Sequence, residues 1–193
     1  GSLVVLKENT SLIYNSSFNN EKRDVKIIGE AYFKVNKNKE KPFTVDLETS
    51  KVTVLGTSFN VRSLNRDSIS TITLVEGSIQ FNDGINKIIL RPKEELVYDS
   101  SKKEIKINQV NPFITIAWKN NLIKYQSVTF EEVIKQLEEI YNVNLKLLNT
   151  NLKTQIITGT FDKRIGIEKI LELMRLNLNF TWKKEASDFY ILY

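Results

Sequence analysis

Apolar and polar residues alternate along the first 110 positions of the chain. Val25, Ile27, Ala31, Phe33 and Val35 share one parity, and so do Phe43, Val45 and Leu47. Val52 with Val54, Ile72 with Leu74, and Ile105 with Ile107 continue the habit. Successive side chains of a strand point to opposite faces, so this period of two predicts half-buried strands. No window before residue 110 carries apolar residues at helical spacing. The first part, residues 3–108, is therefore predicted to be all-β.

Three glycines punctuate it. Gly29, Gly56 and Gly77 each follow an apolar strand and precede another. At two of them the buried parity flips: Val52 and Val54 are even but Phe59 and Val61 odd; Ile72 and Leu74 are even but Ile79 and Phe81 odd. Gly56 and Gly77 are predicted to mark bulges or corners, which glycine tolerates best. Gly29 shows no flip and reads as a close approach of backbones. The repetition suits a rolled sheet, a sandwich or a short solenoid-like stack. Asn82-Asp83-Gly84 is a turn signal, and Pro92 ends the strand Ile88 to Leu90.

After Asn111 and Pro112 the period becomes 3.6. Thr129 precedes Phe130, Val133, Ile134, Leu137 and Tyr141 on one face, with Glu132 placed for a capping box. A second helical run carries Ile167, Ile170, Leu171 and Met174. The two runs align at an offset of 37 residues, with Val143 matching Phe180 and Leu145 matching Trp182 beyond the helices. Leu122 to Tyr125 and Ile156 to Phe161 read as the strands before them. Residues 113–193 are predicted to form two β-α-β units, a small α+β domain with helices over one face of a sheet. The fold class is mainly β with α+β.

Gly1 and Ser2 resemble an expression scar, and no apolar run approaches the roughly 18 residues that cross a bilayer. The 193 residues contain no histidine and no cysteine, which removes thiolate nucleophiles, disulfides, Cys/His metal sites and every histidine-based triad. No metal and no cofactor are implied. The net charge of +5 is thinly spread, with 17 basic and 14 acidic residues before position 109. Counterion release needs clustered Lys or Arg, so nucleic acid is not the expected partner.

Gly29-Glu-Ala-Tyr-Phe-Lys-Val, Pro42-Phe-Thr-Val, Val54-Leu-Gly-Thr-Ser-Phe-Asn-Val-Arg and Leu74-Val-Glu-Gly-Ser resemble, in order and spacing, the core motifs of the FecR family. Residues 113–193, with Thr129-Phe-Glu-Glu-Val-Ile and Ile157-Thr-Gly-Thr-Phe, resemble the domain that follows in glycan-foraging Gram-negative bacteria, similar to the short secretin/TonB N-terminal fold. The resemblance implies the periplasmic part of an anti-sigma factor, anchored to the inner membrane in the full-length protein by a transmembrane helix missing here. A missing cytoplasmic segment would hold an extracytoplasmic-function sigma factor. The periplasmic part would bind the signalling domain of a TonB-dependent outer-membrane transporter, and a regulatory protease would complete release.

Within that resemblance, some members are thought to cut themselves at a Gly-Thr bond, which here is Gly56-Thr57. A strained bond would let the threonine hydroxyl attack the preceding carbonyl. The preferred reading keeps Gly56 for a bulge and Thr57 for the next strand, because neither histidine nor cysteine is present to assist. Glu30, Glu76 and Arg62 read as surface or ion-pair residues, and nothing places two carboxylates across one cleft. Trp182 reads as core and Trp118 as packing one domain on the other. The closing strand Phe189, Tyr190, Ile191, Leu192 and Tyr193 is a candidate edge that a partner strand could complete, against the alternative of an inner strand. The expected function is non-catalytic recognition. A carbohydrate-binding β-sandwich is the alternative.

Overall fold

The computed structural model describes residues 1–16, 18, 22–64 and 67–193. The chain divides into two compact units, Gly1–Lys119 and Asn120–Tyr193. Among the described residues no helix is long and apolar enough to cross a membrane.

The first unit contains β1 (Leu3–Leu6), β2 (Ser11–Tyr14), β3 (Arg23–Lys34), β4 (Phe43–Asp46), β5 (Lys51–Val54) and β6 (Ser58–Ser63). It continues through β7 (Ile69–Glu76), β8 (Ile79–Asn82), β9 (Lys87–Leu90), β10 (Glu94–Asp99), β11 (Glu104–Gln109) and a one-turn helix α1 (Pro112–Thr115). The strands run in the order β11-β10-β7-β6-β3-β4-β5-β8-β9, with β1 and β2 both paired to β3.

The long strand β3 makes the fold. Its first half pairs with β2 and, in parallel, with β4; its second half pairs with β1 and β6. Two half-sheets therefore share one strand, and the sheet curls around a single core. The alternating residues of the sequence fill that core. Phe33, Phe59, Val61, Ile72, Leu74, Ile79, Phe81, Leu96 and Tyr98 are all fully buried. Phe33 stacks on Phe59 at 5.0 Å and meets Phe43 edge-on at 6.0 Å. Of the architectures open to the sequence, the rolled sheet is the one formed.

Gly56 and Gly77 are corners where the chain changes half-sheet, between β5 and β6 and between β7 and β8. That crossing is why buried parity flips. The register irregularity lies beside them, where β6 and β7 slip between Ser58 and Phe59. Gly29 lies within β3 at φ +121, and a Cβ there would come within 2.8 Å of Thr10 Cα. The hairpin of β8 and β9 is held by Asp83, whose Oδ1 accepts from the Ile85 and Asn86 amides.

The second unit contains β12 (Leu122–Thr129), α2 (Phe130–Tyr141), β13 (Asn144–Leu147), β14 (Ile156–Asp162), α3 (Ile167–Arg175), β15 (Trp182–Ala186) and β16 (Phe189–Leu192). The helix α2 begins with the complete capping box of Thr129 and Glu132, and it ends on Asn142 in the left-handed region. Phe130, Val133, Leu137, Ile170 and Leu171 are buried between the helices and strands. The single sheet expected here is instead two. β12 pairs with β14, the matching first strands of the two repeats, while β13 and β15 are separated by β16 in a second sheet. The repeats supply only two second strands, and the unit's last strand fills the gap between them.

Candidate functional site

The Gly56-Thr57 bond sits where three segments converge. On one side lies the turn after β3. The Val35 amide donates to the Thr57 carbonyl at 2.9 Å, and the Asn38 amide donates to the Leu55 carbonyl at 2.7 Å. Lys37 lies so close that a Cβ on Gly56 would meet its Cα at 2.6 Å. On the other side lies the second corner. The Thr57 hydroxyl donates to the Ser78 carbonyl at 2.9 Å, and a Cβ on Gly77, at φ +93, would meet both the Gly56 carbonyl and Thr57 Oγ1 at 2.9 Å. Two glycines thus let two crossovers stack without side chains between them.

Arg23 fixes this arrangement from below. Its side chain is buried, and it donates from Nε to the Lys41 carbonyl (2.7 Å), from Nη1 to Asn36 (3.0 Å) and from Nη2 to Asn38 (3.3 Å). The guanidinium also lies over the Phe43 ring at 5.8 Å. Burial holds its pKa below the ordinary arginine value, because the charged form is the one desolvation disfavours. Three backbone carbonyls of the 36–41 turn accept from this one side chain. Sequence reading passed over Arg23 as one more dispersed cation. Its signal is parity: it stands in register with the buried Val25 and Ile27.

An internal acyl shift would need the Thr57 hydroxyl to attack the carbonyl of Gly56. The recorded partner of that hydroxyl is itself a carbonyl, which is a very weak base. Gly56 lies at the corner between β5 and β6, and Thr57 is buried just before β6 begins, not within it.

The other candidates fall elsewhere. Glu30 accepts from Lys7 Nζ at 2.8 Å and from Asn60 Nδ2 at 3.1 Å. Arg62 faces Asp67 at 3.8 Å. Trp118 belongs to the first unit, where its indole N–H donates to Asn60 Oδ1 at 3.3 Å. The one-turn helix α1 just before it packs on β7 of the same unit. Trp182 donates to Glu172 at 2.9 Å and lies against Tyr190. Each indole N–H is thus engaged within its own unit.

The closing strand is an inner one. β16 is hydrogen-bonded in parallel to β13 and antiparallel to β15, so Phe189 to Leu192 offer no open backbone. Tyr190 and Leu192 are buried, Phe189 and Ile191 are half-buried on the opposite face, and Tyr193 is exposed. The strand-edge route is closed at these residues. The sheet's actual edges are β13, where Glu138 accepts the Leu145 amide at 2.7 Å, and β15, where a register slip interrupts the pairing and Lys183 and Lys184 project. Both devices blunt an edge.

The FecR protein family matches residues 1–80, and the FecR C-terminal family matches residues 122–191. No curated protein matches the sequence. Among solved structures, two crystal structures of a candidate anti-sigma factor from Parabacteroides distasonis ATCC 8503 share the fold. The one at 1.65 Å resolution is 26% identical with a TM-score of 0.72, and the one at 2.50 Å is 25% identical with a TM-score of 0.71. Each alignment covers 100% of this chain and 90% of the other. Both FecR regions occur in their expected order along one fold that an anti-sigma candidate shares from end to end, and the chain belongs to the FecR family of anti-sigma factors.

Proposed function

We propose that this chain is the periplasmic signalling region of an inner-membrane anti-sigma factor, and that it works by docking. The partner is the signalling domain of a TonB-dependent outer-membrane transporter. The output is release of an extracytoplasmic-function sigma factor, held by a cytoplasmic segment beyond a membrane span. The observation that carries this reading is the pairing of the two FecR regions along the chain. A docking role also suits a sequence with neither histidine nor cysteine. Titration calorimetry with the transporter's signalling domain tests it. Saturable binding, with no heat from soluble glycans, supports docking; binding to glycans alone would favour the carbohydrate-binding alternative.

Self-cleavage at Gly56-Thr57 is a separable proposal, and the corner geometry supports an intact bond more than a cut one. On a denaturing gel, freshly purified protein is expected to run as a single band. Two bands that Thr57→Ala converts to one would establish the cut.

A further inference from the structure

We infer that Glu30 is the shared anchor of a latch that couples the N-terminal edge strand to the segment through which the chain leaves the first unit. Two stretches far apart in sequence meet on this one carboxylate. From one side comes the bend between β1 and β2. The Lys7 amide donates to the Glu30 carbonyl at 2.9 Å, the Lys7 ammonium binds Glu30 Oε2 at 2.8 Å, and Thr10 Oγ1 bonds both the carbonyl and the amide of Glu30. From the other side comes Trp118, reaching Glu30 through Asn60.

The chemistry of each group dictates the direction of this chain. An indole nitrogen only donates and a carboxylate only accepts, so Asn60 must turn its oxygen to Trp118 and its amide nitrogen to Glu30. Asn60 is 2% exposed, which leaves it no water to substitute for either partner. Lys7 closes the ring, its ammonium lying 5.8 Å from the Trp118 ring centroid. Glu30 retains only 11% of its side-chain exposure, so water has little room to replace these donors. Losing Lys7 leaves the carboxylate on Asn60 alone, and losing Trp118 leaves Asn60 half-satisfied against Glu30. Release of either strap weakens the hold on the other.

Linkage makes the effect reciprocal, and that supplies the test. Hydrogen exchange is measured on the 193-residue chain and on its Lys7→Met, Trp118→Phe and double variants. Lys7 is exposed, so its replacement leaves the core intact. In Lys7→Met the amides of Ile116 and Lys119, which are bonded within the exit segment, are expected to open about three- to tenfold more often, the lower part of what coupling inside one hydrogen-bond network gives. Trp118→Phe is expected to do the same to Leu3–Lys7, and the double variant to fall short of the product of the two. Local effects confined to the mutated segment, multiplying independently in the double variant, would overturn the latch. None of these readouts uses the docking partner, so the inference stands or falls apart from the proposed function.

Discussion

The two units solve the same problem by opposite means. In the curled sheet, backbone groups left over at bends are satisfied from far along the chain. Arg23 reaches carbonyls at 36, 38 and 41, Thr10 reaches Glu30, and Thr57 reaches Ser78. In the α+β unit near neighbours share that task with remote groups such as Thr158, which accepts the Ser127 amide. Thr129 and Glu132 serve each other across three residues, Asp162 serves Arg164 across two, and Glu138 serves Leu145 across seven. A curled sheet brings remote segments side by side, so its bends can borrow partners. A helix end can carry a cap in its own sequence, and α2 does so while the Gln155 and Lys153 carbonyls accept its first two amides. The first unit is therefore held by a few irreplaceable groups, the second by several modest ones.

Arg23→Met tests the strong end of that contrast. It removes three charge-assisted hydrogen bonds at once, and we expect a loss of roughly 2–4 kcal/mol in chemical denaturation. A loss below about 1 kcal/mol would mean the turn finds other donors. Next comes Gly77→Ala, expected to destabilise by about 1–3 kcal/mol, from a strained φ compounded by contact with the Gly56 carbonyl. Gly84→Ala is its control: φ is similar at +90 but a Cβ would meet nothing within 4 Å. Equal losses at both glycines would show that stacking of the corners adds nothing.

In the second unit, Thr129→Ala removes one half of a capping box and is expected to lower stability by about 1 kcal/mol. An effect as large as that of Arg23→Met would erase the distinction between the units. The smallest effect concerns acid. Hydrogen bonds from Arg164 hold the Asp162 carboxyl down from its ordinary 3.8 to about 2. A depressed carboxyl contributes stability above its unfolded pKa and loses it as pH falls through the folded value. Asp162→Asn is thus expected to be slightly less stable than the parent at neutral pH, with the gap closing between about pH 4 and 2. A gap that persists unchanged at pH 2 would remove the carboxylate's charge as its cause.

The same contrast explains what could be read from residue order. Alternation announced the strands, because each buried residue from Val25 to Tyr98 needs only its own parity. The capping box announced α2, because both its members lie within four positions. Parity flips located the corners at Gly56 and Gly77 but not what they stack against. Nothing in the order of residues pairs Arg23 with the 36–41 turn, or Trp118 with Asn60, since those partners meet only after the sheet has curled. The centre position of β16 was equally hidden. A terminal apolar stretch has the same composition at an edge as in the middle, and its neighbours are set by topology.

That centre position governs the order of assembly. β13 and β15 emerge earlier in synthesis yet have no contact as sheet partners until the stretch from Phe189 to Leu192 arrives between them. During translation this half of the protein must wait, with two unjoined ribbons, for its final zipper tooth. A ribosome stalled or a message truncated just short of Phe189 would yield a curled sheet ready to fold, attached to a domain without its keystone.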